Sequence, residues 1–216
     1  PERNENFSEV GFLPRSAPIY ESYCISLYGD SFAYSADVEE QFSWSEVSSK
    51  RLECNVSNFA IGGYGLYQSF LRYKINTNRD KSKIIVLNHT SENIARILNQ
   101  YRELIYQNQI NGFKPTVYLN ENYQLVHVPI VNFKSYDDYV KNITKISKLK
   151  FNYEYYLPEY NFSNFDFKFP FTYYFSKALF NHHRVKDKLN KRPWYSQHYF
   201  NKEDVLLTYK IMEEFI

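Results

Sequence analysis

Three apolar segments recur along the first half of the chain, and each one ends in glycine or polar residues. They span residues 22–28, 54–60 and 83–88, and their spacing of about 30 residues is that of strand and helix units in a doubly wound sheet. Continuous apolar runs of this length are typical of buried strands in a parallel sheet. We therefore predict three parallel strands whose carboxyl ends open into loops at one edge of the sheet.

The segments between and after these strands have apolar residues at helical spacing. They span Val38–Leu52, Tyr64–Ile75 and Glu92–Gln107, and we expect the first to be a surface helix with one apolar face. Strands that alternate with helices in this way predict an α/β fold, a three-layer α/β/α sandwich with right-handed crossovers. Residues 1–21 are mostly polar, and with Pro14 and Pro18 they predict an extended arm.

A Gly-Asp-Ser sequence, Gly29 to Ser31, follows the first predicted strand. The carboxyl end of a parallel strand is where open α/β sheets bind their ligands, and the strand would fix the backbone of a serine there. Ser31 is therefore a candidate nucleophile. The alternative interpretation is that Asp30 or Ser31 only caps the amino end of a helix.

Two later turns supply further candidates. The second strand runs into a turn with Gly62 and Gly63, and the third is followed by polar residues that include Asn93. Together with Ser31, these sequence blocks resemble the SGNH, or GDSL-type, hydrolases over roughly residues 20 to 105. The resemblance implies a flavodoxin-like sheet with the first strand between the other two.

The resemblance also implies a role for each residue. Ser31 would be the nucleophile, and the oxyanion would be held by the backbone N–H groups of Ser31 and Gly63 and by the side-chain amide of Asn93. Asp30 and Gly62 would support this site. Losing one oxyanion donor typically costs about 10²- to 10³-fold in rate.

The chain departs from the family pattern in three places. Ala60 stands where the second block usually has its first glycine, and Asn93 is followed by Ile94 where the third block usually has aspartate. The third departure is that none of the five histidines has the Asp-x-x-His spacing that supplies the family's general base. Because the chain starts at Pro1 and ends in an apolar helical pattern, we expect a longer natural protein with that block beyond Ile216, and little turnover from this segment alone.

Residues 113–200 form a region of different character. Thr116–Leu119 and Gln124–Val128 flank a four-residue loop and predict a β-hairpin. The stretch from Phe151 to Phe180 is rich in aromatic residues, and we interpret it as an insertion that packs over the sheet or lines the active-site cleft. In that case some of its tyrosines should lie near Ser31, namely Tyr153, Tyr155, Tyr156, Tyr160, Tyr173 and Tyr174. Enrichment of Tyr, Phe, Asn and Lys by an AT-rich genome would produce a similar composition.

Composition narrows the classes of partner. The net charge is +2 without a basic cluster, which gives no sign of nucleic-acid binding. No apolar run approaches the ~20 residues of a membrane span, and no cofactor or metal site is predicted. Cys24 and Cys54 lie on neighbouring predicted strands; we favour buried free thiols over a cross-strand bridge. Localisation and oligomeric state stay open.

Three functions fit these observations. The first is an esterase that hydrolyses a small-molecule or carbohydrate ester, for example an O-acetylated sugar. The second is a carbohydrate O-acetyltransferase with the same site. The third is a catalytically inactive binding module that retains the fold, in which the aromatic insertion recognises a partner.

Overall fold

A computed structural model describes residues 16–102, 112–130, 132–143, 168–181 and 198–216. The chain divides into two compact units, residues 1–93 with 211–216, and residues 94–210. Most contacts of each unit are made within that unit. The sequence-based prediction of a single domain over residues 1–216 stays a prediction.

The first unit is built on a three-stranded parallel sheet. Strand β1 (Tyr23–Tyr28) lies between β2 (Asn55–Asn58) and β3 (Ile84–Leu87). Leu27 is in register with Asn58 on one side and with Val86 on the other. The predicted α/β class, the parallel pairing and the central position of the first strand are all confirmed.

Helices cover both faces of this sheet. They are α1 (Ser31–Tyr34), α2 (Trp44–Leu52) and α3 (Leu66–Asn76). Leu27 and Tyr28 are successive residues of β1 and so point to opposite faces. Leu27 packs in a cluster with Ala33 of α1 and with Trp44 of α2, whereas the Tyr28 ring meets Tyr73 of α3 edge to face at 5.4 Å. These contacts build the three layers expected from the sequence.

Strand β3 differs from the prediction of a buried strand. Ile84 is 55% exposed, and Ile85 and Val86 are each 36% exposed, while Leu27 of the central strand is 1% exposed. The difference arises because β1 is flanked by a strand on each side and packs against helices on both faces, whereas β3 is paired with β1 along one edge. An apolar run therefore predicts the strand but not how deeply it is buried.

The prediction of one helix over Val38–Leu52 is wrong in two respects. A 3₁₀ turn (Glu40–Phe42) precedes α2, and Ser43 caps α2 by accepting a hydrogen bond from the Glu46 N–H. The buried face is polar, because Glu46 accepts a hydrogen bond from the Ala17 N–H at 2.5 Å and the Ser49 hydroxyl donates to the Cys54 carbonyl at 2.6 Å. Two of the predicted apolar-face residues, Phe42 and Leu52, are exposed.

The two cysteines form a disulfide, and the expectation of free thiols is wrong. Cys24 and Cys54 have Cα atoms 5.9 Å apart, within the range that a disulfide can bridge. The pairing register of β1 and β2 shifts between Tyr23 and Ile25. Cys24 lies at this irregularity, which the spacing of the two cysteines in the sequence does not predict. The bridge therefore joins two adjacent strands of the sheet.

Helix α4 (Glu92–Ile97) leads into the second unit and is shorter than the predicted helix over Glu92–Gln107. Residues 103–107 lie outside the described residues. The helix ends early because two side chains from further along the chain bind its last carbonyl groups: the Lys114 ammonium donates to the Arg96 carbonyl, and the Thr116 hydroxyl donates to the Ile97 carbonyl. Such donors satisfy carbonyls that have no partner within a helix.

The predicted hairpin is confirmed in the second unit. Strands β4 (Thr116–Leu119) and β5 (Leu125–Val128) pair in antiparallel fashion. In the loop, the Asn120 side-chain carbonyl accepts hydrogen bonds from the N–H groups of Asn122 and Gln124, both at 2.9 Å. Tyr123 takes a positive φ of 57°. The asparagine thus replaces backbone acceptors in the turn, as asparagine commonly does.

The described residues that follow include helices α5 (Tyr136–Ile143), α6 (Phe171–Asn181) and α7 (Lys202–Glu213). Asn201 caps α7, because its side chain accepts a hydrogen bond from the Glu203 N–H at 2.9 Å. Residues 151–167 of the aromatic stretch, which carry four of the six tyrosines predicted near the cleft, lie outside the described residues. The other two, Tyr173 and Tyr174, are on α6, and their predicted place beside Ser31 stays a prediction.

Candidate functional site

The loops after the three parallel strands meet at the carboxyl end of β1. The Asn88 N–H, just after β3, donates to the Tyr28 carbonyl at 2.8 Å, and the Ile61 N–H, after β2, donates to the Gly29 carbonyl at 3.1 Å. Two successive carbonyls of one segment therefore hold the two neighbouring loops. This is the edge of the sheet at which the sequence predicted a site.

Gly29 is required for this convergence. A Cβ atom at this position would lie 2.7 Å from the Cβ of Ala33 and 2.7 Å from the Cβ of Asn88. Contacts that short do not occur between carbon atoms that are not bonded. The absence of a side chain therefore lets helix α1 and the loop after β3 approach the end of β1 from two directions.

Asp30 and Ser31 begin helix α1. Asp30 is the N-cap residue, and its Oδ1 accepts a hydrogen bond from the Phe32 N–H at 3.0 Å. The alternative interpretation from the sequence is thus correct for Asp30. Ser31 is instead the first residue of the helix and is half-buried. The two interpretations coexist, since the cap is one residue and the candidate nucleophile is the next.

The other carboxylate oxygen of Asp30 is bound by the loop after β3. Its Oδ2 accepts hydrogen bonds from the Thr90 hydroxyl at 2.8 Å and from the Asn93 side-chain amide at 2.9 Å. Asp30 is 0% exposed and Asn93 is 1% exposed, so these contacts satisfy a buried charge. The structure therefore brings together Asp30 and Asn93, two of the five predicted site residues, directly beside Ser31.

Gly62 and Gly63 lie in the turn after β2. The Tyr64 N–H donates to the Ile61 carbonyl across this turn at 3.2 Å, and Gly63 has a φ of 83°, which favours glycine. Gly62 has room for a side chain, because a Cβ atom at this position would have no other atom within 4 Å. The turn is held to the end of β1 by Ile61, and the catalytic roles of both glycines stay predictions.

Ala60 replaces a family glycine without visible strain. It is 3% exposed and packs with Leu27 and Ala33, and its N–H donates to the Asn58 side-chain carbonyl at 3.0 Å. The Asn58 amide in turn donates to the Ala33 carbonyl at 2.9 Å. Asn58 thus ties the end of β2 to helix α1, a role that sequence analysis did not assign.

His89 is a second residue that sequence analysis passed over. It stands between Asn88 and Thr90, whose contacts attach the loop to Tyr28 and Asp30. Burial lowers the pKa of His89 below its ordinary value, while the negative charge of Asp30 acts in the opposite direction. The position of a histidine directly after the third apolar segment is the signal that could have identified it.

A second polar cluster surrounds Asp80, in the loop before β3. Its Oδ1 accepts hydrogen bonds from the Ser26 hydroxyl at 2.6 Å and the Ser82 N–H at 2.9 Å, and its Oδ2 accepts one from the Tyr28 hydroxyl at 3.0 Å. Burial, together with the neighbouring Asp80 charge, strongly raises the pKa of Tyr28. This cluster fastens the loop before β3 to the central strand.

The second unit contains a buried histidine and carboxylate pair. His198 Nδ1 lies 2.7 Å from Asp204 Oδ2, and both side chains are buried. The Asn201 N–H also donates to the His198 carbonyl at 3.2 Å. The pair therefore anchors the turn at residues 198–200 to the first turn of α7.

Within the described residues, no group of three or more His, Cys, Asp or Glu side chains could hold a metal ion. In the same residues, no helix has both the length and the apolar character needed to cross a membrane.

Neither a protein-family model nor a curated protein sequence matches this chain. Part of it is similar to the crystal structure of AlinE4, an SGNH-hydrolase family esterase, with a TM-score of 0.32 and 17% identity over 37% of this chain and 46% of that one. A mutant of the same esterase gives a TM-score of 0.33 and 18% identity over 38% and 48%. The chain thus spans about half the length of these structures.

Proposed function

We propose that this chain carries the nucleophile and oxyanion site of a serine esterase. The observation that carries the proposal is the convergence of the three loops at Gly29 and Asp30, held by the Asn88, Ile61 and Asn93 hydrogen bonds. Ser31 follows directly, at the switch point where doubly wound sheets bind ligands. The proposed substrate class is a small-molecule or carbohydrate ester, such as an O-acetylated sugar.

In the proposed reaction, Ser31 Oγ bonds to the ester carbonyl carbon while its proton passes to a general base. The carbonyl oxygen becomes an oxyanion, held by the N–H groups of Ser31 and Gly63 and the amide of Asn93. Collapse of this intermediate breaks the bond to the alcohol, which leaves with a proton, and water then hydrolyses the acyl-serine. For this role each donor must come within about 2.7 to 3.1 Å of the oxyanion.

The test is hydrolysis of 4-nitrophenyl acetate and of an acetylated monosaccharide by the full-length protein and its Ser31→Ala variant. We expect Ser31→Ala to lower kcat by at least about 10³-fold, since removal of a nucleophile leaves only residual catalysis. Ser35→Ala is the matched control, because Ser35 lies at the other end of α1 as its C-cap. Undiminished hydrolysis by Ser31→Ala would refute the proposal and favour the binding-module interpretation.

A further inference from the structure

Three polar atoms beside Ser31 form a compact triangle. The Asn93 amide nitrogen lies 2.9 Å from Asp30 Oδ2 and 2.6 Å from the Thr90 hydroxyl oxygen, and the hydroxyl lies 2.8 Å from the same Asp30 oxygen. Thr90 and Asn93 are also joined through the backbone, because the Asn93 N–H donates to the Thr90 carbonyl at 3.0 Å. Thr90 therefore contacts both the carboxylate next to Ser31 and the amide predicted to bind the oxyanion.

The shape of the triangle determines what the amide can do. The three sides are nearly equal, so the two acceptors lie in similar directions from the nitrogen. The two hydrogens of an amide nitrogen diverge much more widely than that, so they cannot both point straight at these two acceptors. If one N–H serves the Asp30 and Thr90 oxygens together, the second N–H points out of the triangle, and this is the arrangement in which the amide could also reach an oxyanion.

The triangle also reaches Ser31 through Asp30. The Thr90 hydroxyl donates to Asp30 Oδ2, while Asp30 Oδ1 accepts the Phe32 N–H in the first turn of α1. Asp30 has no exposure to solvent, so its charge depends on protein donors. Removing the Thr90 hydroxyl would change the hydrogen bonding of both Asp30 and Asn93.

We propose that Thr90 is a positioning residue for acyl transfer, which sets the direction of the Asn93 amide and the place of the Ser31 turn through Asp30. The inference rests on the proposed function, since it assigns Asn93 and Ser31 their roles in that reaction. Thr90 acts through its neighbours and not on the substrate, so it should affect the rate of the chemical step more than binding. Its hydroxyl is the required group, and serine should be able to replace it.

The experiment compares Thr90→Val, Thr90→Ala and Thr90→Ser in the full-length protein with 4-nitrophenyl acetate. We expect Thr90→Val and Thr90→Ala to lower kcat by about 10- to 100-fold with KM nearly unchanged, the size of loss that follows small displacements of reacting groups. Thr90→Ser should restore most of kcat. Thr77→Val is the matched control, because the exposed Thr77 hydroxyl binds a carbonyl within its own helix, that of Tyr73.

A structural readout separates this proposal from the esterase assignment. The side-chain amide signals of Asn93 in nitrogen-15 NMR spectra should move in Thr90→Val and return in Thr90→Ser, whether or not the protein turns over an ester. If Ser31→Ala abolishes activity while folded Thr90→Val or Thr90→Ala keeps the wild-type kcat, Thr90 has no positioning role. A serine variant as slow as the valine variant would contradict it equally. Full activity of Ser31→Ala would overturn the esterase assignment instead.

Discussion

Asp30 and Asp80 make a close comparison, because each is a carboxylate that accepts three hydrogen bonds described above. Asp80 is bound by Ser26, Ser82 and Tyr28 and lies in the loop before β3. Asp30 is bound by Phe32, Thr90 and Asn93 at the carboxyl end of β1. Tyr28 and Asp30 flank Gly29, so the two clusters are attached to the same short segment.

The difference between the clusters is their place in the sheet. Asp80 joins the loop before β3 to the central strand, whereas Asp30 joins the first turn of α1 to the residues that follow β3, at the switch point. A carboxylate with several hydrogen-bond donors is therefore not by itself a sign of an active site. We expect both clusters to stabilise the fold and only the Asp30 cluster to affect catalysis.

The largest expected effect comes from the disulfide, which joins β1 to β2. Replacing Cys24 and Cys54 with serine should lower the free energy of unfolding by about 3 to 4 kcal/mol, because the bridge closes a loop with a sequence separation of 30. Urea unfolding with and without reductant measures this. The serine variant should be insensitive to reductant, and an equally insensitive wild type would show that the bridge contributes nothing.

The next effect distinguishes the two clusters directly. Asp30→Asn should lower kcat by about 10²-fold, because an NH₂ group replaces one of the two carboxylate oxygens that hold the Ser31 turn and the Asn93 amide. Asp80→Asn should keep kcat and lose about 1 to 3 kcal/mol of stability, because hydrogen bonds to a charged group contribute about that much. Ester hydrolysis and urea unfolding of both variants provide the comparison. Equal losses of kcat would remove the distinction between site and scaffold.

A smaller effect should appear at alkaline pH in the Asp80 cluster. The pKa of Tyr28 is raised above its ordinary value of 10.0 by burial and by Asp80, so the folded state keeps a proton that the unfolded state releases. The associated stability is present below pH 10 and is lost as the pH rises above it. Unfolding free energies measured on both sides of pH 10 should fall more steeply in the wild type than in Tyr28→Phe. Parallel curves would contradict this assignment.

The smallest effect should appear at acidic pH and should come from His89, which is next to Thr90 of the Asp30 cluster. Burial lowers the pKa of His89 below 6.5, and the Asp30 charge reduces the shift. The unfolded state therefore binds a proton more readily, so stability falls as the pH drops below 6.5. His89→Gln should remove this part of the acid sensitivity in unfolding experiments. Replacing His89 without any change in the pH profile would show that another group is responsible.

The sequence predicted what depends on local pattern. The three strands and the hairpin around Asn120 follow from neighbouring residues, and the structure agrees. The parts that failed depend on distant partners. Lys114 and Thr116 end helix α4, a strand irregularity brings Cys24 to Cys54, and Ala17 and Cys54 make the buried face of α2 polar. Thr90 and His89 were missed because their importance comes from Asp30, about 60 residues earlier.

Trp44 adds a practical property to this site. Its indole N–H donates to the Ala33 carbonyl at 3.0 Å, the same carbonyl that accepts the Asn58 amide, and Ala33 belongs to the short helix that starts at Ser31. The fluorescence of this indole should therefore respond to any displacement of that helix. The sequence has two tryptophans, and replacing Trp194 with phenylalanine leaves Trp44 as a single emitter. Acylation of Ser31 could then be followed optically, without a chromogenic ester and without a label.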